Sequence, residues 1–335
     1  MTQKKIVVIG AGIVGLSTSY YLQKSGCKVT LIDRQNPGAG TSRGHANMIA
    51  NYGVPGINQP QVWSQLPRYL FSKFSPIAIQ WSKIRQLAPW LYQFLKNCNS
   101  SSMNRTAKYT ASLLQTALPN YKELLKEIGS LDLLAHRGVL YVWIDSRQQP
   151  NTSQVNIRSQ LGVEQQKLTG EQVRELEPNL SSKIQGGWHF PKAYHTLDPD
   201  LILEKLLQSF LSRGGQFQKE EVTSIKPRED TTQVNNHEYD QLVLCTGAFS
   251  KFLVKQIEGQ FIPLETERGY HIEFIEKNEL LSRPTSLVES GMYLTPLHNC
   301  LRAVGTVELG GLHTKISQAR INYIARDAQR LLPVL

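Results

Sequence analysis

The residues whose types and spacing suggest chemistry stand at the start of the chain: Gly10-Ala11-Gly12-Ile13-Val14-Gly15, with Asp33 18 residues past the last glycine. A G-x-G-x-x-G run can cradle a pyrophosphate. Its first glycine makes a tight turn, its second lets backbone approach the phosphates, and its third lets a helix lie close to a strand. Gly10, Gly12 and Gly15 occupy those places, and Ile13 and Val14 carry N–H groups at the positive end of the helix dipole. Asp33 can accept from ribose hydroxyls and would repel a 2′-phosphate, an exclusion that Arg34 beside it weakens. The elements that must hold these residues are legible around them. Ile6-Val7-Val8-Ile9 is a short β-branched run, Leu16 to Ser25 has helical spacing, Gly26 can stop that helix, and Lys28 to Ile32 is a second strand. A complete βαβ unit argues against reading Lys4, Lys5 and the apolar run after them as a signal peptide. The motif alone does not choose between NAD and FAD.

Two later segments bear on that choice. Gly38 to Asn47 offers small residues, hydroxyls and donors, which suits a loop passing beneath a pyrophosphate and a flavin ring. Tyr239 to Ala248 is an apolar, parallel-type strand ending in Thr246-Gly247, which would bring backbone to the dinucleotide at the carboxyl edge of a sheet. A fingerprint and a late strand of this kind in one chain favour FAD. A merely tight turn at Gly247 is the competing reading.

These segments resemble the D-amino-acid oxidase and dehydrogenase family of FAD-dependent oxidoreductases, nearest to its bacterial D-amino-acid dehydrogenase branch. The resemblance is carried by Thr41-Ser42, Ala46-Asn47, Tyr52-Gly53, Pro55-Gly56, Arg137-Gly138, Thr246-Gly247-Ala248, Arg268-Gly269-Tyr270 and Gly291 to Pro296. It implies an α/β fold: a Rossmann-like FAD-binding domain of the GR2 type, 1–50 with 185–250, interleaved with an α+β substrate or cap domain on a mixed sheet, 51–184 with 251–335. It implies that Thr41, Ser42, His45, Ala46 and Asn47 form the cofactor loop and that the Val222 backbone meets the adenine. It also implies that Tyr270 lies on a strand returning over the flavin, and that Tyr293 hydrogen-bonds the substrate carboxylate. His45, Tyr270 and Tyr293 are thereby the candidate catalytic residues. His45 as an incidental loop residue, and Tyr293 as a buried sheet tyrosine, are the bland alternatives. Arg302 is expected to face solvent or pair locally.

The reaction implied is oxidative deamination of a D-amino acid, with hydride passing to flavin N5 and the imine hydrolysing to a 2-oxo acid and ammonia. A glycine- or sarcosine-type amine oxidase, an NAD-dependent dehydrogenase and a non-catalytic binding remnant are the alternatives. The family carries a further Gly-x-Arg-Pro segment, whose arginine clamps the carboxylate, and a closing Gly-His-rich stretch. This sequence ends at Leu335, so an incomplete copy with weak FAD binding and poor turnover is the expectation.

Composition bounds the rest. A chain of 335 residues with 40% hydrophobic and 19% charged residues has ordinary globular content and more length than one core usually serves. Two packed domains, or one with an insertion, are expected. From Pro76 to Leu134 the pattern is helical, with breaks at Pro89 and Pro119 and a polar connector from Asn97 to Asn104. Cys27, Cys98, Cys245 and Cys300 are too scattered for a zinc site or disulfide framework, so no metal and a reducing, cytoplasmic setting are expected. The net charge of +10 has one source. Residues 34–122 hold ten Lys or Arg and no acid, leaving 27 of each sign elsewhere. Trp63, Tyr69, Trp81, Trp90 and Tyr92 interleave with these cations. Such a segment suits an anionic lipid surface and a membrane quinone as electron acceptor, with attachment at the inner face of the cell membrane. A buried aromatic core with a solvated basic face is the plainer reading, and nucleic acid is not expected.

Overall fold

Ile6, Val7, Val8 and Ile9 are all buried, as a strand covered on both faces requires. The computed structural model of the chain describes residues 3–71, 75–257, 262 and 264–335, without the side chains of Arg68 and Phe71. It divides into two compact units: 1–44 with 125–130 and 199–266, and 45–124 with 131–198 and 267–335.

In the first unit, four parallel strands run in the order Gln216–Lys219, Lys28–Asp33, Lys5–Ile9, Gln241–Leu244. The helix Ile13–Lys24 connects the two strands of the βαβ unit. A second helix, Pro199–Ser212, begins with its proline in the first turn and buries Ile202, Leu203, Leu206 and Phe210. A three-stranded antiparallel sheet, Ile225–Pro227, Thr232–Val234 and His237–Tyr239, closes the core with Ile225, Val234 and Tyr239. Val222, expected in a strand, lies instead in the irregular stretch between Lys219 and Ile225. Asn235 Oδ1 takes the N–H groups of Thr223 and Ser224 there, at 3.0 and 3.2 Å, so a side chain replaces the ladder.

The second unit is built on an eight-stranded mixed sheet. Its path runs Arg268–Ile275, Cys300–Leu309, Met292–Pro296, Thr285–Leu287, Val139–Trp143, Gly186–Phe190, Gln166–Thr169, with Ile77–Ile79 parallel beside Cys300–Leu309. Alternation sorts the side chains. Leu140, Val142, Met292, Leu294, Leu301 and Ala303 pack with Ile324, Ala328 and Leu331 of the helix Gln318–Leu331. Tyr141 and Tyr293, between those positions, face the other way.

The helical stretch expected over Pro76 to Leu134 is corrected at three points. Ile77–Ile79 is a strand, and Pro89 and Pro119 sit inside the helices Ile84–Lys96 and Ser100–Glu127. Each interior proline removes a hydrogen bond at a cost of about 3 kcal/mol, offset by burial of Leu87, Met103, Ala107 and Ala111. The connector shortens because Asn99 Oδ1 accepts from Ser102 N at 2.9 Å and starts the second helix early. The unit boundaries also differ from those expected. Gly186–Phe190 pairs with Val139–Trp143, and Met48–Ile49 with Tyr194–Thr196, which places 45–50 and 185–198 in the second unit. Leu253 and Ile257 pack on the Val7 and Ile9 cluster and keep 251–266 in the first.

Candidate functional site

Backbone chemistry dominates the candidate residues of the first unit. Gly10 holds φ +104°, and a Cβ there would stand 2.5 Å from the Cys245 carbonyl oxygen and 3.0 Å from Thr246 N. The glycine turn and the late strand therefore meet, Cys245 N donating to Ile9 O at 2.7 Å. A Cβ on Gly15 would overlap the Gly10 carbonyl oxygen, so only glycine lets the helix descend onto the strand. Ser42 Oγ accepts from Ile13 N at 2.9 Å and would stand 3.0 Å from a Cβ on Gly12. Asp33 accepts from Ala11 N at 2.7 Å and from Gln35 N at 2.8 Å, one bond to each oxygen, which leaves lone pairs for ribose hydroxyls.

Around this turn lie the other expected residues of the unit. Val14 and Thr41 are exposed, and Thr246 Oγ1 bonds Ser250 Oγ at 2.9 Å beside an exposed Gly247. Arg34 lies 4.4 Å from the Phe249 ring and 3.8 Å from Glu221, away from Asp33's bonds. A glycine cradle without room for side chains, an amide-rich helix start and a carboxylate at the next strand's end fit an adenine dinucleotide such as FAD.

The second unit holds the remaining expected residues. His45 is exposed, yet the mass around it, and then the Arg302 charge, lower its pKa. Its Nδ1 accepts from Asn47 N at 2.9 Å, and its carbonyl takes an Arg302 N–H at 3.3 Å. Arg302 is buried and pairs locally with Glu273 at 2.7 Å, the second of its two expected fates. Ala46 O accepts from Thr295 Oγ1 at 2.9 Å. Asn47 sits at φ 58°, buried, with neither amide atom bonded. A buried amide with donor and acceptor both unused has the chemistry to meet a flavin's carbonyl and N–H edge.

Tyr293 and Tyr270 part company. Tyr293 Oη lies 2.6 Å from Tyr141 Oη, and Tyr141 packs edge-on to Tyr52 and Phe190. Burial pushes all three phenols up, so they remain protonated hydrogen-bonding groups at neutral pH. Tyr270 instead donates to buried Glu308, which also takes Gln80 Nε2 at 2.6 Å, and Ser317 N donates to its hydroxyl at 3.2 Å. That hydroxyl is tied into the packing of helix against sheet. Tyr141 and Arg158 are neighbours that no sequence motif marks, and Tyr52 is marked only by the resemblance. Strand alternation could have put Tyr141 on one face, but nothing in the sequence pairs it with Tyr293. A cavity of about 320 Å³ lies beside Tyr52 and Phe190, lined also by Leu114, Leu118, Val163 and Lys192.

Known proteins resemble this chain along nearly its whole length. The profile of the DAO family, described as FAD dependent oxidoreductase, matches residues 5–335. A D-amino-acid oxidase of Bradyrhizobium diazoefficiens is 28% identical over 341 residues, covering 99% of this chain and 80% of that protein. A D-amino acid dehydrogenase of Neisseria meningitidis is 25% identical over 344 residues, covering 98% and 81%. The crystal structure of glycine oxidase from Bacillus cereus shares the fold, with a TM-score of 0.68 at 17% identity over 99% of this chain and 79% of that one.

Proposed function

The chain belongs to the FAD-dependent oxidoreductase family, and from that premise we propose that it oxidises D-amino acids to 2-oxo acids and ammonia and passes the electrons to a membrane quinone. When bound, FAD supplies the acceptor for the hydride that the substrate α-carbon loses. The chain's own residues do the rest. In the first unit Gly10, Gly12, Gly15 and Ser42 would hold the pyrophosphate and Asp33 a ribose; in the second, the unbonded Asn47 amide has donor and acceptor chemistry suited to a flavin edge. The observation that carries the substrate assignment is the family match over residues 5–335, with a D-amino-acid oxidase and a D-amino acid dehydrogenase among the similar proteins. The Tyr141 and Tyr293 hydroxyls, 2.6 Å apart and bonded onward to Tyr52 and Ser286, supply polar groups at the second unit's sheet. The imine then hydrolyses in water. Exposed Trp63, Trp81 and Tyr92 in the acid-free segment support an anionic membrane as the place where the quinone is met.

An absorbance spectrum of the purified protein before and after anaerobic D-alanine tests the reading, with L-alanine, glycine and sarcosine in parallel. Flavin bands that bleach with D-alanine are expected. Bleaching by glycine or sarcosine alone would replace the substrate class, and flavin bands that no amine bleaches would leave a binding protein.

A further inference from the structure

His195 is the middle residue of Tyr194–Thr196, the central strand of a three-stranded sheet, where it pairs with Met48 on one side and Ala135 on the other. It is 0% exposed, and neither ring nitrogen has a hydrogen-bond partner. Strands on both sides fix its backbone, so the ring cannot reach water by a shift of the chain. It borders a cavity of about 380 Å³ inside the second unit. That volume falls in the range of small-molecule sites, about 300–1,000 Å³. A buried polar group without a partner is rare, and beside such a cavity it points to a ligand that supplies the partner.

Three segments at strand ends of the larger sheet complete the wall. Arg137 precedes Val139–Trp143, Asn278 and Glu279 lie between Arg268–Ile275 and Thr285–Leu287, and His298 lies between Met292–Pro296 and Cys300–Leu309. The Arg137 charge reaches the His195 ring, and among the described residues no acid acts on that ring. Arg137 Nη1 donates to Ser282 O at a long 3.4 Å, which leaves the rest of the guanidinium for a ligand. Glu279, the one acid of the wall among the described residues, is exposed. Leu281 and Leu297, both buried, make the wall apolar on another side.

Four side chains able to donate, those of Arg137, His195, Asn278 and His298, outnumber the two oxygens of a carboxylate. A phosphomonoester presents three acceptor oxygens and up to two charges, and a guanidinium matches its geometry. The leucines suit an apolar body behind that head group. Tyr141, Tyr293 and Asn47 do not border this cavity, so it is separate from the groups assigned to the amine and the flavin.

We propose that this cavity is a second binding site, for a phosphomonoester whose phosphate is held by Arg137 and His195 and whose apolar body lies on Leu281 and Leu297. The site does not depend on the amine-oxidising function proposed above, and no sequence motif marks it.

Phenyl phosphate, inorganic phosphate and phenol are titrated calorimetrically into the full chain saturated with FAD, and into its Arg137→Met, Arg137→Lys, His195→Leu and Glu279→Gln variants. Phenyl phosphate is expected to bind once per chain, at least about tenfold more tightly than inorganic phosphate or phenol. Arg137→Met and His195→Leu each weaken it at least about tenfold, Arg137→Lys falls between, and Glu279→Gln strengthens it. Bleaching of the flavin by D-alanine is expected to be equal in wild type and Arg137→Met. Absence of phenyl phosphate binding to wild type overturns the proposal, as does unchanged affinity in Arg137→Met, where an exposed side chain is replaced and the fold is kept. Inorganic phosphate binding as tightly as the ester overturns the apolar body, and phenol binding as tightly overturns the anion. Slower bleaching in Arg137→Met would make the cavity part of the amine site and overturn its independence. If His195→Leu does not fold, the two Arg137 variants decide. Should no amine bleach the wild type, the functional reading fails and the titrations still decide this site.

Discussion

His195 illustrates what a single buried side chain contributes. It is fully buried, neither ring nitrogen is bonded, and it lines a cavity of about 380 Å³ with Arg137, Ser282 and His298. Burial first, and the Arg137 charge second, lower its pKa to about 4. An unfolded chain would protonate this ring near pH 6.5, so between pH 6.5 and about 4 the unfolded state binds the extra proton. Stability conferred by a neutral His195 is therefore present above pH 6.5 and drains as the pH falls toward 4, by about 3 kcal/mol in all. Urea unfolding across that window is expected to show a steep fall for wild type and a flatter one for His195→Leu. Legibility at this scale followed locality. Gly10, Gly12 and Gly15 were readable because their spacing between a strand and a helix is a local pattern, although a Cβ on Gly10 would meet Cys245 and one on Gly12 would meet Ser42. Tyr141 and Arg158 were not, because their partners are distant in the chain, and neither was the bond from Tyr270 to Glu308.

At the scale of elements, the helix Ile13–Lys24 lies on its strand only because Gly15 has no side chain, its would-be Cβ overlapping the Gly10 carbonyl oxygen. Backbone is the obstacle, so neither rotamer change nor a small shift relieves it. Gly15→Ala is expected to abolish the flavin absorbance of purified protein, whereas Gly269→Ala, where a Cβ meets nothing within 4 Å, retains it. Local punctuation starts other helices. Thr169 and Gln172 form the capping box that opens Gly170–Leu176, and Pro199 opens its helix. Ile77–Ile79 reads as part of a helical stretch because three apolar residues carry no period of their own, and only pairing with Val307–Leu309 makes them a strand.

Over the whole molecule, the excess charge of +10 belongs to residues 34–122. Trp63, Trp81 and Tyr92 are exposed there, while Leu87 faces inward, so the segment divides its apolar residues between core and surface. Lys73, Phe74 and the side chains of Arg68 and Phe71 lie outside the described residues. Among the described residues no helix is long and apolar enough to cross a membrane. Each basic residue near an anionic bilayer contributes about 1 kcal/mol. Charge reversal at Lys83, Arg85 and Lys96 together is therefore expected to lower co-sedimentation with anionic liposomes at least about tenfold at low salt, with flavin absorbance unchanged. Equal sedimentation of both proteins would remove the membrane from the proposal. The amino-acid sequence by itself determined the βαβ unit, its pyrophosphate turn and the cofactor class, because glycine geometry, strand burial and helix starts are dictated within a few residues. Only the tertiary structure decided which phenols hydrogen-bond each other, which carbonyl the buried Arg158 reaches and which tyrosine is locked to a glutamate. Those outcomes depend on strands and helices far apart in the chain meeting at a few ångströms, which no local pattern encodes.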